Sequence, residues 1–189
     1  MPHRVAYRKG ACGVRVSSER RLMQSWEEGM PYADFRATVD TLRALWEGVY
    51  RTARIPPWAV ERARVRGEGI SLLAISEDWC WDAANVLPVL AKLGDETELL
   101  PLRLLSRDAN PDVMDRYLTG GSRSIPIVIA LDGDFREVGH WGPRPAALQV
   151  WALENRTRMP KGQFYAHMRR WHVQDRGELV LREVLALLD

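Results

Sequence analysis

The sequence predicts an α/β domain with a mixed central sheet. Residues 67–156 form its core, residues 1–66 an N-terminal arm and helical extension, and residues 157–189 a helical tail packed on that core. Three observations predict this class. Apolar residues before position 67 recur at helical spacings of three and four, Ile70 to Ser76 is a compact, mainly apolar run of strand length, and strand and helix signals then alternate. A run apolar at consecutive positions, as at Leu72-Leu73-Ala74-Ile75, rather than at every second one, marks a central strand covered on both faces.

From Ser17 to Arg66, Leu22, Trp26, Phe35, Val39, Leu42, Leu45, Trp46 and Val49 supply the helical spacing, interrupted at Pro31 and at Ile55-Pro56-Pro57. Three amphipathic helices are expected there, the last opened by Pro57, whose fixed φ suits a first helical turn. After the central strand, Trp81, Ala84, Leu87, Val89, Leu90 and Leu93 predict a helix ending at Gly94. Leu99 to Leu105 reads as the next strand, and Asn110 to Leu118 as a helix capped by Asn110, with Gly120-Gly121 as its stop. Ile127 to Leu131 and Phe135 to Trp141 flank Asp132-Gly133-Asp134 as a hairpin. Pro143 to Arg156 and Phe164 to Leu188 are helical stretches, the second broken near Gly177.

With 189 residues and 46% hydrophobic content, the chain can bury a core without covalent staples. Its 27 basic and 25 acidic side chains are scattered, so nucleic acid is not an expected partner. The longest apolar run, Ile125 to Leu131, contains seven residues against the ~20 that span a bilayer, so no membrane partner is expected. Residues 1–16 lack an apolar signal region, and two cysteines do not make a disulfide framework. The expected location is the reducing cytoplasm.

The junction at Cys80 carries the chemistry. The order from Ile70 to Arg156, with Trp79-Cys80 between the first strand and its helix and Ile125-Pro126 opening the third strand, resembles the thioredoxin superfamily. Pro88 is similar to the proline that kinks the active-site helix of thioredoxins, and Pro126 stands where the family places a cis-proline beside the cysteine. Glu77 to Ala83, Arg123-Ser124-Ile125-Pro126 and Gly139 to Pro143 look like small bacterial thioredoxin-like proteins in which C-x-x-C is reduced to C-x-x-A. The resemblance implies that Cys80 is the nucleophile, that Ile125 and Pro126 shape a substrate groove, and that Arg123 lies close enough to stabilise the thiolate; Trp79 and Trp81, which flank the cysteine, are candidates for an apolar lip on a substrate peptide.

Physical chemistry pulls in two directions at this position. Unpaired amides at a helix start favour a thiolate, whereas Glu77, Asp78 and Asp82 nearby oppose it. Ala83 replaces the second cysteine that would resolve a mixed disulfide, and Ala74 stands where thioredoxins carry a buried acid. One thiol remains, able to attack a disulfide and to be released by a low-molecular-weight thiol or a disulfide-containing partner protein. No metal or cofactor is expected. Cys12 is a remote resolving thiol at best, because Gly10 and Gly13 suggest a mobile arm. Of the two tryptophans, Trp81 is expected to be the exposed lip of the groove and Trp79 the packed one. Asp82 is expected to complement the helix dipole, His140 to approach a ligand in the cleft, and Gly120-Gly121-Ser122 to form a turn. Two other readings stay open: a binding or scaffold module that lost turnover chemistry, and a sensor in which Cys80 is oxidised or capped. Oligomeric state is left open.

Overall fold

The computed structural model describes residues 10–189, with side chains from residue 19 onward, so the Cys12 side chain lies outside the described residues. The elements are α1 (Gly10–Glu28), β1 (Met30–Pro31), α2 (Tyr32–Thr38), α3 (Arg43–Thr52), α4 (Pro57–Arg66), β2 (Ser71–Ser76), α5 (Trp81–Thr97), β3 (Leu102–Ser106), α6 (Pro111–Met114), β4 (Ile127–Leu131), β5 (Glu137–Trp141), α7 (Ala146–Asn155), α8 (Lys161–Asp175) and α9 (Glu178–Ala186). The sheet runs β1-β3-β2-β4-β5. Only β2 and β3 are parallel, which makes the sheet mixed. The α/β class with a mixed central sheet is the predicted one.

Leu72, Leu73, Ala74 and Ile75 of β2 are fully buried, as a central strand covered on both faces requires. On one side α3, α4 and α9 pack on α5, and α9 also reaches β5. Helices α7 and α8 pack on one another around Leu148, Ala152 and Met168 to form a smaller second core.

Several boundaries differ from the sequence reading. Among the described residues four helices, not three, precede β2, and the first is described from Gly10, where a mobile arm was expected. Met30 and Pro31 add an edge strand opposite Leu104 and Arg103, a place where a proline costs no ladder bond. Helix α5 runs through Gly94 to Thr97; a Cβ at Gly94 would stand 3.2 Å from the Leu99 carbonyl, so this glycine permits close approach instead of ending the helix. The next strand starts late because Glu98 and Leu100 take left-handed φ of 57° and 54°. Helix α6 is a single turn. Asn110 takes the expected N-cap position ahead of Pro111, but its side chain makes no capping bond, since its Oδ1 accepts from Arg21 and its Nδ2 donates to the Ser106 carbonyl. The break between α8 and α9 falls at Gly177, whose φ is 83° and where a Cβ would meet Val89 at 2.8 Å.

Candidate functional site

Strand β2 ends at Ser76, and residues 77–79 carry the chain to Cys80, the N-cap of α5. Each acid of that connection is tied into the scaffold. Glu77 Oε1 accepts from Ser106 Oγ at 2.9 Å and from the Asp108 amide at 3.0 Å. Asp78 Oδ2 accepts from the amides of Asp40 and Thr41. The Asp78 carbonyl takes the indole N–H of Trp46, a fully buried side chain of α3, at 2.9 Å. The helices before β2 therefore fix the loop that presents the cysteine.

The Cys80 sulfur accepts from the Ala83 amide at 3.4 Å, which satisfies one orphan donor of the α5 first turn. Its thiol donates to the Ile125 carbonyl at 3.4 Å. The Ile125–Pro126 peptide is cis, and so is Gly142–Pro143, which the sequence reading did not foresee. The two prolyl segments touch: Gly142 has φ 133°, and a Cβ there would overlap the Pro126 carbonyl oxygen.

Cys80 is 6% exposed. Burial, the largest effect, pushes its thiol up to about 11; the Ala83 amide pulls the other way, the Asp82 carboxylate adds to the rise, and the Arg144 guanidinium opposes it. The helix-start contribution expected from the sequence is present but outweighed by desolvation.

Arg123 is not the cation of this site. Its guanidinium forms a two-point pair with Asp115, at 2.6 and 2.8 Å, on the exposed surface. The tryptophan assignments also reverse. Trp79 is 46% exposed, with the Arg107 guanidinium 4.8 Å from its ring centroid, whereas Trp81 is half-buried and meets His172 edge-on at 5.4 Å. Trp81 packs with the α7–α8 core, which covers the side of α5 where a lip was expected. Ile125 and Pro126 are buried, with the Ile125 carbonyl on the sulfur. His140 is held by Glu137 at 2.7 Å and lies edge-on to Tyr117, away from the role expected for it. Residues 119–122 form a turn closed by a Thr119–Ser122 bridge.

Asp82, expected to serve the helix dipole alone, pairs through Oδ2 with Arg144 Nη2 at 2.6 Å. Its Oδ1 lies 3.8 Å from His172 Nε2. Sequence reasoning missed both partners; the available signal was an Asp embedded in the apolar start of a helix, a residue type seldom buried unless paired. Among the described residues, no group of three or more His, Cys, Asp or Glu is placed to hold a metal ion. No described helix is long and apolar enough to cross a membrane.

A cysteine capping the helix after a buried central strand, met by a cis prolyl peptide from the third core strand, defines a thioredoxin-fold protein. The thioredoxin family model matches residues 29–159, and the chain belongs to that family. A crystal structure of an HIV epitope-scaffold is similar over 87% of this chain and 95% of its own, with 20% identity and a TM-score of 0.68. A crystal structure of a protein of unknown function from Pseudomonas aeruginosa is similar over 84% and 91%, with 21% identity and a TM-score of 0.68. At these identities the likeness is one of fold. No curated protein matches.

Proposed function

We propose that this protein is a monothiol member of the family, of the C-x-x-A type, that exchanges disulfides through Cys80. The observation that carries the reading is the sulfur's place, at the N-cap of α5 between the Ala83 amide and the Ile125 carbonyl, each at 3.4 Å. In the reaction the Cys80 thiol gives its proton to water, and the thiolate attacks one sulfur of a disulfide R–S–S–R′. The Cys80–S–S–R bond forms, the old S–S bond breaks, and R′–S⁻ takes a proton to leave as a thiol. With Ala83 in the resolving position, a second thiol from solution then attacks the mixed disulfide, freeing Cys80 and forming R–S–S–R″. No cofactor enters this balance. The partners are a disulfide-containing protein and a low-molecular-weight thiol, in a reducing compartment such as the cytoplasm. Trp79, Ile125 and Pro126 border the approach to the sulfur.

The test is intact-mass analysis after reaction with 5,5′-dithiobis(2-nitrobenzoate) at pH 8 to 9, followed by release with a small thiol. In a Cys12→Ser background, a single adduct that is lost on adding Cys80→Ser and released by the added thiol supports exchange. A second reading, a binding module without turnover, is favoured by one observation: the thiol is buried and held protonated. The folded protein forming no adduct at Cys80, while Cys80→Ser keeps every partner in a pull-down, would establish that reading instead.

A further inference from the structure

We propose that Arg144 is a positioning residue for Cys80: by neutralising the buried Asp82 carboxylate it allows the neighbouring sulfur to ionise, and so governs how fast the thiol reacts. The inference rests on the exchange reading above and names the residue that tunes it.

Asp82 is the second residue of α5, and its side chain is 12% exposed. A carboxylate there complements the helix start but also repels a thiolate at Cys80, two residues earlier. Arg144 comes from the segment between β5 and α7, and its guanidinium closes on Asp82 Oδ2 at 2.6 Å with the side chain 24% exposed. In so dry a setting the carboxylate's repulsion is weakly screened, so a cation in contact with it matters more than one at the surface. The charged groups acting on the sulfur are Asp82 from its own helix and Arg144 from the segment opposite. His172 of α8 approaches the Asp82 carboxylate, Arg123 is committed to Asp115, and Glu77 and Asp78 to the connection before Cys80.

The cluster is poorly made for stability alone. Asp82 Oδ1, Arg144 Nε and His172 Nε2 are buried without a hydrogen-bond partner, three of the four such side-chain atoms found among the described residues. A partly satisfied polar cluster costs stability relative to apolar packing, and its place beside the Cys80 sulfur fits electrostatic control.

Iodoacetamide alkylation of Cys80 in the full chain, in a Cys12→Ser background between pH 7.5 and 9.5, reads the thiolate fraction, about tenfold in rate per unit of pKa. Arg144→Gln is expected to slow alkylation several-fold at each pH, and Asp82→Asn to speed it several-fold. Arg144→Lys stays near the parent, and the Arg144→Gln/Asp82→Asn double variant falls between the singles. A purely structural role would loosen the site and speed both single variants. Arg144→Gln alkylating as fast as the parent or faster overturns the proposal. If Arg144→Gln does not fold, Asp82→Asn is compared with Asp82→Glu, which keeps the charge but alters the fit: equal acceleration of both, or an Asp82→Asn rate unchanged or slower, overturns the proposal. Because alkylation needs no disulfide, failure of exchange in the unsubstituted protein leaves these rates unaffected, and the two failures are distinguishable.

Discussion

The Cys80 thiol donates to the Ile125 carbonyl at 3.4 Å, so the oxygen of the cis prolyl peptide is taken up by the cysteine itself. That contact is made only while the sulfur keeps its proton. Ionisation removes the donor and sets a negative sulfur against a carbonyl dipole, in the same direction as the burial that raises the thiol to about 11.

Stability should therefore fall in alkali on account of this one group. The thiol's folded value, about 11, lies above its ordinary value of 9.0, so between these pH values the native state binds more protons than the unfolded chain. Its contribution is full below pH 9 and is lost as pH rises towards 11, a change on the order of 2 kcal/mol. Urea unfolding of the parent and Cys80→Ala at pH 8 and pH 10.5 checks this. The difference between the two proteins should shift towards the variant at the higher pH; a constant difference would mean that the sulfur is not desolvated.

Trp46 links the helices before β2 to the site. Its ring is fully buried and its Nε1 donates to the Asp78 carbonyl, two residues before the cysteine. Trp46→Phe keeps an aromatic ring and deletes the donor, and is expected to cost about 1–3 kcal/mol because a part-buried acceptor loses its partner. Trp46→Ala adds a cavity and should cost about 3–5 kcal/mol. Denaturant midpoints measure both, and equal losses would assign the whole effect to the hydrogen bond.

Gly142 and Gly133 make a matched pair. Gly142 has φ 133° and no room for a Cβ against the Pro126 carbonyl, whereas Gly133, in the β4–β5 turn, has nothing within 4 Å. Gly142→Ala is expected to lose at least ~2 kcal/mol, and Gly133→Ala to stay within about 0.5 kcal/mol. Thermal unfolding of the two variants compares them directly. A tolerated Gly142→Ala would show that the two prolyl segments do not need their close approach.

What the sequence made legible here is what local chemistry dictates. The apolar run of β2, the cysteine at its junction with α5, the proline ahead of β4 and the break at Gly177 are each written in a few adjacent residues. The partners across the fold are not. Asp82 required a cation, but nothing in a chain with 27 basic residues singles out Arg144, which lies far along the sequence. Arg123 was drawn towards Cys80 by resemblance, yet Asp115, eight residues earlier, holds it. The two-residue β1 is too short to show a period, and the left-handed turns at Leu42, Glu98, Leu100 and Arg176 fall on residues that give no warning of them.

The tryptophans on either side of Cys80 separate surface from anchor, and their substitution should behave accordingly. Trp79 is nearly half exposed, with the Arg107 guanidinium over its ring. Trp79→Ala therefore removes a partly desolvated cation–π contact and should cost no more than about 1 kcal/mol. Trp81 is adjacent in sequence but points into the core of Leu148, Ala152 and Met168, where it meets His172 edge-on. Truncating it leaves a void between α5 and the α7–α8 pair, and Trp81→Ala should cost about 2–4 kcal/mol. Because the C-terminal pair leans on this ring, hydrogen exchange in Trp81→Ala should quicken in α8 more than in β2, while Trp79→Ala leaves both unchanged. Equal and small losses in the two variants would mean that Trp81 does not anchor α8 beside the cysteine.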